Sequence, residues 1–384
     1  MSSALSQSLT TAPLWSIGFR PFFFAAAVYA VVLMALWIAG LSGLLTLPLA
    51  DLLHWHRHEM VFGFGSAVIA GFLLTSVANW TGKPPYSGRI LQALFALWCA
   101  GRLAPWLLPN EWGGLIQAAF LPLLALLLGR MLWPQGLRRH YPVRVIVLLL
   151  SVTEWGVLYG WVWTAAESAR LAVWIIAALM CLIIGRVLPF FIQRGLLLST
   201  PLPANTPVAE RIRLLSALAV VIATAYAGLN PDVNVGLTAL LACVVNGWNW
   251  LRLYRAALWR VPLLWSLYLS YGWLVIAYGL WAAWGFGWIG SASLALHVLT
   301  VGAMASMMLA MMVRVSLGHT GRALQPSRVA VWALYSLQLA ALLRLLAALG
   351  WSFGLYGAAF FWCLAFAGFV VSCGRYLYLP RADA

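Results

Sequence analysis

Long apolar stretches separated by short polar breaks run through the whole chain. About twelve stretches of roughly 18 to 25 residues recur, each long enough to cross a hydrocarbon core of about 30 Å as an α-helix. The breaks contain Gly and Pro, which do not continue a helix, as in TGKPPYSG and LPNEWGG. The pattern predicts an all-α fold: a polytopic integral membrane helix bundle of about 12 transmembrane helices.

The chain is predicted to form one transmembrane domain over residues 1–384, because no connection between spans is long enough to fold as a separate soluble domain. No internal repeat is evident in the pattern. The predicted spans are 20–42, 57–79, 89–108, 114–133, 143–163, 169–187, 212–229, 235–256, 263–285, 290–314, 328–349 and 353–375.

Composition and charge agree with a membrane protein and suggest its orientation. Charged residues make up 8% of the chain, against roughly 25% in an average soluble domain. The formal net charge is +15, but the basic residues are scattered between apolar stretches, so no nucleic-acid partner is indicated. Most of the 23 Lys and Arg residues follow even-numbered spans or lie in the tail, so both termini are predicted to be cytoplasmic. The N-terminal sequence lacks the features of a cleaved signal peptide.

The five cysteines are widely spaced and form no CxxC or CxxCH motif. This spacing argues against a disulfide scaffold, a thiolate zinc site and covalently attached haem. Any haem would therefore be held non-covalently.

Histidines and acids are concentrated at the start of the second span, in the stretch DLLHWHRHEMVFGF. His54, His56, His58 and Glu59 enter this span from the predicted outer side, and His297 lies at a similar depth in the tenth span. Imidazole suits copper, iron and zinc, and ionisable groups inside a membrane are costly to bury. We therefore predict a metal or haem site here; the alternative is a solvated histidine rim at the membrane surface.

The tenth span adds a stripe of methionines below His297. Val301, Met304, Met308 and Met311 follow it at steps that place them on one face of an α-helix. They are predicted to provide adaptable packing, for example around a large flat cofactor, with thioether ligation of copper or haem iron as the alternative. His319 lies roughly 33 Å from His297 along an unbroken helix, so the two cannot bind opposite faces of one haem.

A second polar group is predicted at the inner side of the membrane. Basic residues at this depth can bind an anionic group such as a haem propionate or a lipid phosphate, or they form the ordinary cytoplasmic rim. Its members are Asn79, Thr81, Lys83, Arg186, Arg314, His319 and Arg322. Glu154 lies in the middle of the fifth span, where it is neutral, paired with another helix, or part of a proton path.

Four blocks of this sequence resemble the NnrS family across most of the chain. They are IGFRPFF at 17–23, WHRHEMVFGFGSAVIAGFLLTSVANWTG at 55–82, GRVLPFF at 185–191 and HVLTVGAMASMMLAMMVRVSLGHTGR at 297–322.

The resemblance implies a bacterial inner-membrane protein with non-covalent b-type haem and copper, associated with nitric oxide metabolism and nitrosative stress. It does not support His54 as a ligand. The family pattern falls on His56, His58, Glu59, His297 and His319, with Arg20, Asn79, Arg186, Arg314 and Arg322 as polar companions.

Two main functions follow from these observations. The first is a haem and copper protein that binds or turns over nitric oxide; turnover would need an electron donor, for which the sequence carries no motif. The alternative is a multi-pass transporter or a copper-handling protein, which the apparent lack of paired intramembrane charges disfavours. A haem-based sensor or a partner of a respiratory complex is a third possibility. Whether the protein is an enzyme is left open.

Overall fold

The computed structural model describes residues 12–47, 51–132, 141–160, 163–198, 207–227 and 232–383, and every regular element within these ranges is helical. Residues 1–11, on which the signal-peptide expectation rests, lie outside them. The helices are α1 Phe19–Leu41, α2 Leu52–Thr81, α3 Gly88–Leu107, α4 Asn110–Ala118, α5 Phe120–Leu132, α6 Tyr141–Tyr159, α7 Ala165–Gly195, α8 Pro207–Ala227, α9 Val233–Arg252, α10 Pro262–Gly285, α11 Ala292–His319, α12 Arg328–Ala348 and α13 Phe353–Tyr378.

Ten spans in the described ranges are long and apolar enough to cross a membrane, with α4 and α5 together forming one of them. Helices α8 and α9, which correspond to the predicted spans 212–229 and 235–256, are not among the ten. The sequence of α8 includes three charged residues near its start, and that of α9 includes three asparagines, so polar residues interrupt the apolar run of each. The chain is therefore an all-helical, multi-pass membrane protein, and the number of about twelve spans is not confirmed.

The helices group into two compact units. Unit 1 contains residues 1–169, 312–324 and 366–384, and unit 2 contains residues 170–311 and 325–365. In unit 1, the buried Phe22 ring contacts Phe95 and Phe120. In unit 2, the buried Trp174 ring packs on Tyr278 and Trp281. Each unit thus has its own aromatic core, while the prediction of a single domain stays a prediction.

Helices α2 and α11 begin in the same way. The Asp51 carboxylate accepts backbone N–H bonds at the start of α2, and the Ser291 hydroxyl does so at the start of α11. Such caps satisfy N–H groups that have no partner within the helix. A short α-helical stretch follows in both and ends at a histidine, His58 in α2 and His297 in α11.

Both histidines are followed directly by a π-helical segment, Glu59–Gly65 in α2 and Val298–Ala305 in α11. Gly63 and Gly302 occupy the same position after the histidine in each. π-Helical turns are rare and occur mostly at functional sites. The wider turn changes the register of α11 between His297 and the α-helical part that carries Met308 and Met311, and the single methionine face stays a prediction.

The two helices also end alike. A threonine hydroxyl donates to carbonyls of the preceding turn, and a glycine with positive φ then ends the helix, a conformation that glycine adopts without steric cost. A basic residue follows. These residues are Thr81, Gly82 and Lys83 in α2, and Thr320, Gly321 and Arg322 in α11. Each lies at the same separation from its histidine in both helices, a repeat that the hydrophobic pattern did not reveal.

Candidate functional site

The most polar part of the unit 1 interior surrounds Glu59, the first residue of the π-helical segment in α2. Its side chain is fully buried. Arg102 Nη1 on α3 donates to Glu59 Oε2 at 2.6 Å, and the Tyr29 hydroxyl on α1 donates to the same oxygen. Gln117 Nε2 on α4 lies 3.4 Å from Glu59 Oε1. The negative charge of this carboxylate is therefore compensated by a buried guanidinium from another span.

Gly63 makes room for this arrangement. A Cβ atom at Gly63 would lie 2.5 Å from Glu59 Oε2 and 2.8 Å from Arg102 Nη1. The Gly63 carbonyl accepts a hydrogen bond of 3.0 Å from Trp98 Nε1. The π-helical segment thus brings the backbone close to the ion pair, and the indole satisfies one of its carbonyl groups.

His58 connects Glu59 to a second buried acid. Its Nδ1 lies 2.9 Å from Glu59 Oε1, and its Nε2 lies 3.6 Å from Glu154 Oε1 on α6. Because an ionised carboxylate only accepts hydrogen bonds, Nδ1 carries the proton towards Glu59; when the ring is neutral, Nε2 then presents its lone pair towards Glu154. Within the described residues, neither His58 Nε2 nor Glu154 Oε2 has a hydrogen-bond partner. We call the group formed by Tyr29, His58, Glu59, Arg102, Gln117 and Glu154 the Glu59 cluster.

Two members of the Glu59 cluster correct the sequence reasoning. Arg102 lies within the predicted span 89–108 without having been assigned a role, and it is buried within α3. Its ion pair with Glu59 also shows that paired charges do lie inside the spans, so the argument against transport on that ground was wrong. Of the three alternatives for Glu154, its position beside His58 matches pairing with another helix.

The other histidines of α2 face different surroundings. The His56 ring stacks on Trp37 of α1, with centroids 4.0 Å apart and an interplanar angle of 23°. His54 is half-buried near the start of the helix. Of the three histidines, only His58 belongs to the Glu59 cluster.

His297 belongs to unit 2 and has an arginine as its partner. Its Nδ1 donates to the Ser293 carbonyl at 2.7 Å, and its Nε2 lies 3.1 Å from Arg344 Nη2 on α12. Among the described residues, no acid forms an ion pair with Arg344. The predicted convergence of His297 with the histidines of α2 stays a prediction.

Arg20, a polar companion in the family pattern, and Lys83, predicted at the inner side, both hold helix ends. Arg20 Nη1 donates to the carbonyls of Leu377 and Leu379 at 3.0 and 2.6 Å, at the C-terminus of α13. Lys83 Nζ donates at 2.8 Å to the carbonyl of Met131, near the end of α5. Cations at helix C-termini satisfy free carbonyl groups and interact favourably with the helix dipole.

The remaining residues predicted at the inner side have the following surroundings. The His319 ring lies 5.7 Å from the Phe19 ring, and the Arg322 guanidinium lies 4.2 Å from the centre of the Tyr376 ring. Asn79 is exposed at the end of α2. Arg314 is half-buried in unit 1, and Arg186 is half-buried in unit 2.

Unit 2 contains a buried polar group that the sequence reasoning missed. Cys181 Sγ lies 3.1 Å from the Tyr278 hydroxyl and 3.7 Å from Asn246 Oδ1, which also accepts a hydrogen bond of 3.1 Å from the Tyr271 hydroxyl. The four side chains come from α7, α9 and α10. Their positions in the sequence carry no motif, so only the packing of these helices reveals the group.

Of the histidines described here, His58 fits the role of a metal ligand best. Metal-ligating histidines usually donate their second ring N–H to a carboxylate or a carbonyl, which fixes the tautomer and orients the ring. His58 does so towards Glu59 and keeps a buried Nε2 without a partner. His297 does so towards Ser293, and Arg344 Nη2 lies 3.1 Å from both of its ring nitrogens. Among the described residues, no group of three or more His, Cys, Asp or Glu is placed to hold a metal by itself.

Comparison with known families agrees with the resemblance in the sequence. The family model described as NnrS protein matches residues 13–381, which include every helix described above. A comparison with curated proteins found no match.

Proposed function

Because the chain belongs to the NnrS family, we propose that it is a multi-pass protein of the bacterial inner membrane that holds haem and copper. We propose that it acts in nitric oxide metabolism or in protection against nitrosative stress, with both termini in the cytoplasm. Ten or twelve spans are both even numbers, so either places the two termini on the same side.

The observation that carries the metal-binding part of this proposal is the geometry of His58. Its Nδ1 is tied to Glu59, and its Nε2 is buried beside Glu154 without a hydrogen-bond partner. Glu59 is itself engaged by Arg102 and Tyr29, so we assign it the role of orienting His58 rather than of ligating a metal directly. His56 and His297 are the other proposed ligands.

A bound haem iron or copper would supply a coordination position for nitric oxide and an electron that can be exchanged. The chain supplies the surroundings. The ring of His58 is fixed by its bond to Glu59, and the burial of both residues excludes bulk water from Nε2. The aromatic ring of Trp37 holds the plane of the His56 ring by stacking. These contacts limit the positions that a ligated group can adopt.

On the inner side, we propose Arg314 and Asn79 of unit 1 and, separately, Arg186 of unit 2 as contacts for haem propionates, with Arg322 and His319 as further polar residues of unit 1. Arg20 contributes through its structural role, because both of its described hydrogen bonds hold the end of α13. Guanidinium groups suit carboxylates because they offer several donors in a fixed plane.

The test is spectroscopic. Reduced-minus-oxidised and nitric-oxide-difference spectra, together with metal analysis, are measured on the purified wild type and on His56→Ala, His58→Ala, His297→Ala and His319→Ala. We expect haem and copper in the wild type and a nitric-oxide-dependent spectral change that the outer-histidine variants weaken. Retention of haem, copper and the full spectral change in all three outer variants would contradict the proposed site.

One observation favours the alternative of copper handling or transport. The Arg102–Glu59 pair places opposite charges inside the spans, as ion-coupled transporters commonly do. Copper movement across sealed proteoliposomes distinguishes the two functions. Uptake that is abolished by Glu59→Gln would favour transport, whereas stable binding without movement favours a resident cofactor.

A further inference from the structure

We propose that His58 and Glu154 together bind one metal cation, copper in the protein proposed above, in the gap between the His58 ring and the Glu154 carboxylate. This inference rests on the proposed function and adds a ligand that neither the family match nor the sequence pattern provides. It also assigns the cation to α2 rather than to α11.

The separation of the two side chains suits a shared metal ion. His58 Nε2 and Glu154 Oε1 are 3.6 Å apart, slightly beyond a good hydrogen bond. First-row metals bind imidazole nitrogen and carboxylate oxygen at about 2.0 to 2.2 Å, so an ion contacting both atoms would subtend an angle of roughly 120°. Of the two atoms, Nε2 has no hydrogen-bond partner among the described residues, and the second carboxylate oxygen of Glu154, Oε2, has none either.

The charges in the Glu59 cluster also favour a cation. Arg102 compensates Glu59 through a hydrogen bond of 2.6 Å, whereas Glu154 has no Lys or Arg partner among the described ion pairs. A buried carboxylate inside a membrane is costly unless it is neutralised or paired. A metal ion beside Glu154 would provide that compensation.

The orientation of His58 also favours a metal ion between its ring and Glu154. The bond from its Nδ1 to Glu59 fixes the ring so that Nε2 faces Glu154, and an acceptor on Nδ1 makes Nε2 a stronger ligand. Two protein ligands leave other coordination positions for a small molecule or another donor. The site is therefore suited to binding a diatomic ligand at the metal.

The equivalent histidine of α11 lacks these features. His297 occupies the same position in its helix, but the Arg344 guanidinium lies beside its ring, with Nη2 3.1 Å from both ring nitrogens. A fixed positive charge beside the ligand nitrogen repels an added cation. We therefore expect His297 to contribute less to cation affinity than His58.

The experiment titrates copper alone into the full-length protein, purified in nanodiscs and depleted of copper. The variants are Glu154→Gln, which removes the charge at nearly constant volume, Glu154→Asp, which keeps the carboxylate, and His58→Gln. Glu111→Gln is the matched control, because Glu111 is exposed on α4. Affinity and the electron paramagnetic resonance spectrum of bound Cu²⁺ are recorded, with circular dichroism to confirm folding.

We expect at least tenfold weaker copper binding in Glu154→Gln and His58→Gln, a smaller loss in Glu154→Asp, and no change in Glu111→Gln. The copper spectrum of Glu154→Gln should also differ from that of the wild type. A folded Glu154→Gln protein with wild-type affinity and spectrum would overturn this inference and leave the proposed function intact. A wild type that binds neither copper nor haem would overturn both. If Glu154→Gln does not fold, Glu154→Asp decides, and an unchanged affinity and spectrum there counts against ligation.

Discussion

Helices α2 and α11 have the same local construction and different surroundings. In both, a capped start leads to a histidine, a π-helical segment and a Thr-Gly-basic end. In α2 the histidine lies between two buried acids, whereas in α11 it faces an arginine. The local construction of each helix fixes the position of its histidine. The charges on neighbouring helices then determine whether the surroundings of that histidine favour a cation.

The role of the buried ion pair between Glu59 of α2 and Arg102 of α3 is best explained by the orientation of His58. Burying two charges costs several kcal/mol per ion, and their attraction repays this only when the geometry is good. Glu59 has four donors around it, from Arg102, Tyr29, His58 and Gln117, so the geometry of this pair meets that condition. We infer that Glu59 and Arg102 are kept because they hold His58 in one orientation.

The largest expected effect comes from removing the guanidinium of Arg102. Arg102→Met leaves Glu59 buried without its cation, so the free energy of unfolding should fall by about 3 to 5 kcal/mol. Arg344→Met, the matched change in unit 2, should cost about 1 kcal/mol, because no described acid loses a partner. Unfolding in mixed micelles of increasing denaturing detergent measures both.

The double variant Arg102→Met with Glu59→Gln sharpens this comparison. It should recover a large part of the lost stability, because no unpaired charge remains. Equal losses in Arg102→Met and Arg344→Met would show that the Glu59 cluster is no more dependent on its charges than the His297 site.

The next effect concerns the glycines of the two π-helical segments. Gly63→Ala places a methyl group against Glu59 and Arg102 and should cost about 2 to 3 kcal/mol of unfolding free energy. Gly302→Ala meets the Trp273 ring at 2.9 Å and should cost about 1 to 2 kcal/mol. Only Gly63→Ala should also weaken copper binding. An equal loss of copper in both variants would contradict the assignment of the cation to α2.

The cations that hold helix ends should give a smaller effect. Arg20→Met removes two charged hydrogen bonds at the end of α13 and should lower the free energy of unfolding by about 2 kcal/mol. Lys83→Met should cost about 1 kcal/mol, because its side chain is only half-buried. Neither variant should alter copper binding. Loss of copper in Arg20→Met with intact folding would place Arg20 at the metal site instead.

The smallest effect concerns the caps. Asp51→Ala removes the side chain that caps α2 and should cost about 1 kcal/mol, and Ser291→Ala slightly less. The N–H groups of His54 and Leu53 lower the pKa of Asp51. The contribution of this cap is therefore complete above the ordinary pKa of aspartate and is lost as the pH falls through the lowered pKa. A pH series of detergent unfolding on the wild type and Asp51→Ala tests this; a difference that persists at the lowest pH would contradict it.

The sequence was sufficient for the helical membrane class and for the concentration of histidines in α2, because both are local features. It was insufficient for Arg102 and Glu154, since their roles depend on contacts between α2, α3 and α6 that spacing does not reveal. The π-helical segments also escaped prediction, because an apolar run shows the same composition in either helical form. The charged residues of α8 and the asparagines of α9 interrupt apolar runs that the hydrophobic pattern alone counted as spans.

The central claim is that His58, held by Glu59, offers its Nε2 to a metal cation. Electron spin echo envelope modulation on the Cu²⁺-loaded protein reports the imidazole nitrogen remote from the ligated one. We predict this signal in the wild type and in His297→Ala, and its absence in His58→Ala. A signal that survives in His58→Ala and disappears in His297→Ala would contradict the claim and move the cation to α11.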